Sequence, residues 1–206
     1  MLAKLDLKYG EFPVIDEGIE KVIEDLYEAV EYYDIDLIKK HSLIAKKILE
    51  QVKDYIYYSQ LYEMFFDICD YYTEFTLISE EKMKLYQKII EFYNVSMQDI
   101  MKVAMFTAIK QICMSDENLY AEYVASMQIE ASNYNCLRIN LLHYYYKTDQ
   151  RFKMMNLINE LELYFQTTKN SIRLLDVYNY TIIVLSTFDK DLVLETIEKV
   201  ENLISS

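Results

Sequence analysis

From residue 19 to its end the chain contains neither glycine nor proline; Gly10, Pro13 and Gly18 are the only examples of either residue. Phosphate-cradling loops, dinucleotide fingerprints, nucleophile elbows and tight β-hairpins all use a backbone position that glycine supplies at little steric cost, so these chemistries are excluded over most of the chain. Tryptophan is absent, and histidine occurs only as His41 and His143. The residues three places before them are Ile38 and Asn140, which removes the Glu-x-x-His pair that a di-iron helical bundle needs. His41 falls in an apolar stripe and is expected as a satisfied core histidine.

Cysteine is also scarce. Cys69, Cys113 and Cys136 are odd in number and far apart, which argues against both a disulfide framework and a zinc site and for small buried apolar side chains in a reducing compartment. Nothing local suggests a Ser-His-Asp constellation. Charges interrupt the apolar residues at the N-terminus, and the uncharged stretch from Val177 to Phe188 is too short to span a bilayer. A soluble, cytoplasmic protein without a cofactor, a metal or a membrane anchor is expected.

What is present is helical periodicity. Ile19, Val22, Ile23, Leu26, Tyr27, Val30 and Tyr33 recur at helical spacing, with Asp16 placed to cap the first turn. A second stripe runs from Leu37 to Val52, and further ones begin near Tyr55, Ser79, Ser96, Asp116, Asn133, Asp149, Asn170 and Asp189. The breaks carry Asn, Asp, Ser or Thr, whose short side chains satisfy free helix-end amides without glycine. Ser96 and Asp99 have the spacing of a capping box. Every second start recurs at roughly 35–45 residues, the period of an α-solenoid. The spacing predicts an all-α fold: an α-solenoid of about five antiparallel helix pairs, tetratricopeptide-like, over 16–206, preceded by a lead-in segment over 1–15. A closed bundle of ten helices is the competing arrangement.

Charge is lopsided. The chain holds 34 acidic and 21 basic residues, for a net charge of −13, and the acidic excess is concentrated in the first half. A phosphate backbone is repelled by such a surface, so no direct nucleic-acid binding is expected. Glu63, Asp67, Asp70 and Glu74 form an acidic stripe, and Lys39, Lys46 and Lys53 a basic row on the preceding helix; solvated faces or ion pairs between neighbouring helices account for both. The chain has 21 tyrosines and 9 phenylalanines, in runs that place aromatics on more than one helical face, so some tyrosines are expected at a binding groove.

All three arginines and all ten asparagines lie between Asn94 and Asn202. Between 133 and 180 they interleave with tyrosine: Arg138, Asn140, Tyr144, Asn159, Arg173, Tyr178 and Asn179. Asparagine donates to and accepts from peptide backbone, and arginine forks onto carboxylates, so this mixture suits a groove for an extended peptide. Helix capping is the competing explanation for several of the asparagines.

With these patterns, carried chiefly by the segments 41–52 and 78–93, the chain resembles the C-terminal tetratricopeptide-like domains of peptide-pheromone-responsive transcriptional regulators of Gram-positive bacteria, the Rgg/GadR/MutR group. The tetratricopeptide consensus Trp, Gly and Pro positions are unmatched, and the DNA-binding helix-turn-helix of that group is missing. The resemblance implies a peptide-sensing and dimerisation domain that holds a short hydrophobic signalling peptide on its concave face and forms a homodimer, with the seven residues just named as peptide-binding positions. A different class remains open: an interaction scaffold that uses its acidic half against a helix or tail of a basic partner. An enzyme is the least favoured class.

Overall fold

The computed structural model describes residues 12–113, 116–186 and 189–205. Among them are ten α-helices and no strand: α1 Pro13–Glu31, α2 Ile35–Leu49, α3 Ile56–Glu74, α4 Glu80–Ile89, α5 Val95–Ile112, α6 Glu117–Ser126, α7 Asn135–Lys147, α8 Arg151–Thr167, α9 Ser171–Leu185 and α10 Lys190–Ser205. The fold is all-α, and each apolar stripe in the sequence corresponds to one helix.

Polar caps set many of the boundaries. Asp34, Ser79, Asp116, Asn170 and Asp189 each accept from a backbone N–H in the first turn of the following helix, satisfying donors that the helix cannot pair internally. Two caps differ from expectation. Asn94, not Ser96, caps α5 by accepting from the Met97 N–H at 2.9 Å, and Asp99 is buried. Asp16 does not cap α1, which starts at Pro13, a residue whose fixed φ and missing N–H suit a first helical position. The Asp16 carboxylate instead accepts from the Tyr58 hydroxyl of α3 at 2.7 Å and is 5% exposed. The lead-in expected over 1–15 therefore overlaps α1 from Pro13 onward, and its residues 1–11 lie outside the described residues.

Helix ends carry the cost of having no glycine. Tyr33, Phe75, Gln128, Asp149 and Lys169 take left-handed φ values of 51–56° at or just beyond helix ends, a region that costs an L-residue roughly 1–2 kcal/mol and that glycine enters freely. Lys169 is exposed, so Lys169→Gly removes that strain without opening a cavity. Set against the greater freedom glycine gives the unfolded chain, a net stabilisation of about 0.5 kcal/mol is expected. Urea unfolding monitored by circular dichroism checks it.

The chain divides into two compact units, Met1–Ile112 and Cys113–Ser206. In the first, α1 packs on α2 and α2 on α3, while α5 returns to pack on α1, α3 and α4. Ten of the residues of α5 are buried, from Met97 to Ile109, so this helix is apolar nearly all round and forms the middle of the unit. Leu26, Ile38, Leu49, Met64 and Phe65 of the first three helices and Phe106 of α5 are fully buried, each such side chain contributing about 1.5–3 kcal/mol of transfer free energy. In the second unit the helices pack in chain order from α6 to α10, with α7 also touching α9. The three cysteines are buried thiols.

Candidate binding surfaces

The second unit holds all seven positions expected to bind peptide, and their placements diverge. Arg138, half-buried on α7, donates to the Asn135 Oδ1 at 2.9 Å and to the Glu160 carboxylate of α8. Its guanidinium fork thus joins two helices. Arg173 on α9 is 8% exposed and reaches Asp176 at 3.3 Å. Tyr178 is 3% exposed; its hydroxyl donates to Glu162 and accepts from Gln166, both on α8 and both at 3.3 Å. Lys199 of α10 bonds the same Glu162 carboxylate at 3.2 Å and lies 5.9 Å from the Tyr178 ring centroid. Burial pushes the Tyr178 phenol above its ordinary pKa, with the Glu162 charge adding to the shift.

Asn159 and Asn179, by contrast, are exposed, and Asn140 and Tyr144 are half-buried on α7. At about 100° per residue, Asn179 is displaced from Arg173 by roughly 120° around α9. The structure therefore does not bring the seven to one surface: Arg138, Arg173 and Tyr178 are engaged within and between helices, while Asn159 and Asn179 face outward. Tyr144 belongs to an aromatic cluster absent from the expectations, in which the Tyr120 ring lies 5.5 Å from His143 and 6.3 Å from Tyr144.

The first unit contains a cavity of about 260 Å³. Ile19 and Ile23 of α1 and Leu61 of α3 give it an apolar lining. Aromatic side chains line it as well: Tyr57 of α3, with Phe92 and Tyr93 from the turn before α5. The Tyr57 and Tyr93 rings stack with centroids 4.8 Å apart and 29° between planes, and the Tyr93 hydroxyl donates to the Tyr57 carbonyl at 3.1 Å. Asn94 and two carboxylates complete the lining, the latter being Asp16 and Glu20, one turn apart on α1; Asp16 is buried and Glu20 exposed. Burial, followed by the charges of Asp16 and Glu20, pushes the Tyr57 phenol up to about 12. Apolar side chains, stacked aromatics and acidic groups together suit a ligand part that is both flat or aliphatic and positively charged.

A second, more open hollow lies between α1 and α2, with Asp25, Glu28, Asp34 and His41 among its lining. His41 is not the satisfied core histidine expected. Its Nδ1 is buried without a hydrogen bond and stands 3.6 Å from the Asp25 carboxylate. In the acidic stripe of α3, Glu63 and Asp67 pair with a neighbouring helix: Lys82 of α4 bonds both oxygens of Asp67, at 2.8 and 3.0 Å, and reaches Glu63 at 3.4 Å. Lys46 from the basic row sits 3.7 Å from the Phe66 ring centroid, and Lys53 pairs with Glu50 beside it.

Among the described residues no group of three or more His, Cys, Asp or Glu side chains is placed to hold a metal ion, and no helix is long and apolar enough to cross a membrane. Comparison of the chain with known protein families, with curated proteins and with solved structures gives no match.

Proposed function

We propose that this chain is a non-enzymatic binding module that grips a short polypeptide segment, such as a helix or tail of a partner protein. The observation that carries this reading is the cavity of the first unit. Its volume suits one large side chain, and its apolar, aromatic and acidic lining gives both contact area and a polar anchor. The acidic excess of the chain adds attraction for a basic partner.

A second reading follows from the resemblance. In it the chain is the cytoplasmic peptide-sensing and dimerising part of a bacterial transcriptional regulator, its helix pairs stacked as tetratricopeptide repeats. Its ligand is then a short hydrophobic signalling peptide. The outward-facing Asn159 and Asn179 favour this form, since exposed amides on adjacent helices can pair with an extended backbone.

Salt dependence separates the two. Binding of a peptide library to the purified protein, measured by fluorescence anisotropy at low and at physiological salt, is expected to select basic segments whose affinity falls steeply as salt rises. Selection of neutral hydrophobic peptides, insensitive to salt and accompanied by a doubling of mass in light scattering, supports the sensor instead. Failure of every peptide to bind at micromolar concentration removes both.

A further inference from the structure

The hollow between α1 and α2 is separate from the cavity that carries the proposed function, and its lining has a chemistry of its own. We propose that it binds a protonated aliphatic amine and that a proton on His41 competes with this ligand. The hollow has a volume of about 460 Å³. Its acids are Asp25 and Glu28 of α1 and Asp34 at the start of α2. Asp34 gives one oxygen to the Leu37 N–H at 3.0 Å. Asp25 stands 3.6 Å from the His41 Nδ1, an atom that is buried and makes no hydrogen bond. Among the described residues no lysine or arginine lines the hollow. While the imidazole is neutral, the lining therefore holds carboxylate charge and no cation. An ammonium supplies that charge, with three N–H donors that can address separate carboxylates. Ala29, Tyr32 and Leu37 give apolar contact to its methylenes. Glu28, Tyr32 and Leu37 are exposed, so the ammonium keeps part of its hydration and avoids the full desolvation cost of a buried ion pair.

His41 makes the site sensitive to pH. Its side chain is 12% exposed, and histidine is the side chain that ordinarily changes charge between pH 5 and 8. Whichever nitrogen carries the proton of the neutral ring, a second proton adds one positive charge beside Asp25. That charge attracts the Asp25 carboxylate and repels an ammonium in the same hollow, so proton and amine oppose each other. The titratable groups that share the hollow with His41 are Asp25 and Glu28 of α1, Tyr32 and Asp34. At about 100° per residue, Lys46, which meets Phe66 of α3, is displaced from His41 by roughly 140° around α2, so α3 packs on a different side. Carboxylates ordinarily titrate near pH 4 and phenols near 10. A change in amine binding between pH 7.5 and 5.5 thus reports the imidazole.

The test titrates the full chain with a blocked lysine, N-acetyl-lysine methylamide, with its ε-acetylated analogue, which lacks the charge, and with 1,4-diaminobutane. Ring-proton NMR of the histidines reads the site; the chain has only two, and His143→Gln assigns them. At pH 7.5 the charged probes are expected to shift the His41 resonances and the acetylated analogue to leave them in place. Affinity for the charged probes is expected to be about fivefold weaker at pH 5.5 than at pH 7.5. By reciprocity, a saturating amine moves the midpoint of the His41 titration to lower pH. Asp25→Asn, at a side chain 44% exposed, is expected to weaken binding about tenfold. His41→Gln is expected to keep binding and lose its pH dependence; should that variant fail to fold, the parent titrated with and without amine still decides. Tighter binding of the blocked lysine than of the diamine assigns the site to a polypeptide side chain, and the reverse order to a free amine. Equal responses to the charged and acetylated probes, or an affinity for amine that is the same at both pH values, overturn the inference and leave the proposed binding module untouched.

Discussion

Raising the pH above about 10 is expected to unfold this protein cooperatively, because both units bury phenols that cannot ionise in place. Tyr57, Tyr86 and Tyr93 in the first unit, and Tyr120 and Tyr180 in the second, all have pKa values pushed upward, in every case mainly by burial. Tyr57 and Tyr180 are pushed up to about 12 and the others higher. The Tyr86 hydroxyl is held further by donating to Asp67. In the unfolded chain these phenols ionise near pH 10. The native state then binds more protons than the unfolded state over the interval between that value and the native pKa. Stability is accordingly complete below about pH 10 and is lost as pH rises through the raised values. One fully shifted phenol forfeits roughly 1.4 kcal/mol for each pH unit above its unfolded pKa. Five of them, two only partly buried, forfeit on the order of 5 kcal/mol by pH 11, comparable to the whole stability of an ordinary domain. Far-UV circular dichroism and absorbance at 295 nm, followed on one sample, should show helix loss and the late phenol ionisations in a single step. Retention of full helicity to about pH 11.5 while all tyrosines titrate near 10 would contradict the buried placement of these side chains.

The architecture is largely legible in the sequence because helix periodicity is a local property. Ten stripes gave ten helices, and Asp116, Asn170 and Asp189 cap where composition placed them. The misreadings have a common cause in long-range partners. Asp16 has the composition and position of a cap, yet a hydroxyl 42 residues away draws it inward. Arg138 and Tyr178 have the chemistry of a peptide groove, yet Glu160, Glu162 and Lys199 from neighbouring helices engage them. The cavity of the first unit assembles α1, α3 and the turn before α5, and no spacing along the chain reports that Tyr57 and Tyr93 stack. The central role of α5 was also written locally. A helix whose apolar residues surround it, rather than forming one stripe, has neighbours on several sides.

That central role makes Phe106→Ala the substitution with the largest expected cost. Phe106 is 0% exposed, in the second half of a helix that packs on α1, α3 and α4 at once. Truncation removes the transfer free energy of the ring and leaves a void that helices fixed on three sides cannot close, placing the loss at about 3–5 kcal/mol. For a chain of this size that lowers Tm by roughly 10–15 °C. Phe106→Leu retains most of the volume and is expected to cost about 1.5 kcal/mol or less, while Phe152→Ala, at a side chain 79% exposed, is expected within about 0.5 kcal/mol of the parent. The same series probes the cavity, because Asn94, which caps α5, also lines it. A void that loosens the docking of α5 should weaken ligand binding as well as stability, and Phe106→Ala should lose more affinity than Phe106→Leu even though position 106 does not line the site. Calorimetric unfolding and peptide titration on the three variants measure both quantities. A loss below about 1 kcal/mol for Phe106→Ala would mean that the first unit can collapse around the missing ring, and α5 would then not be its organising helix.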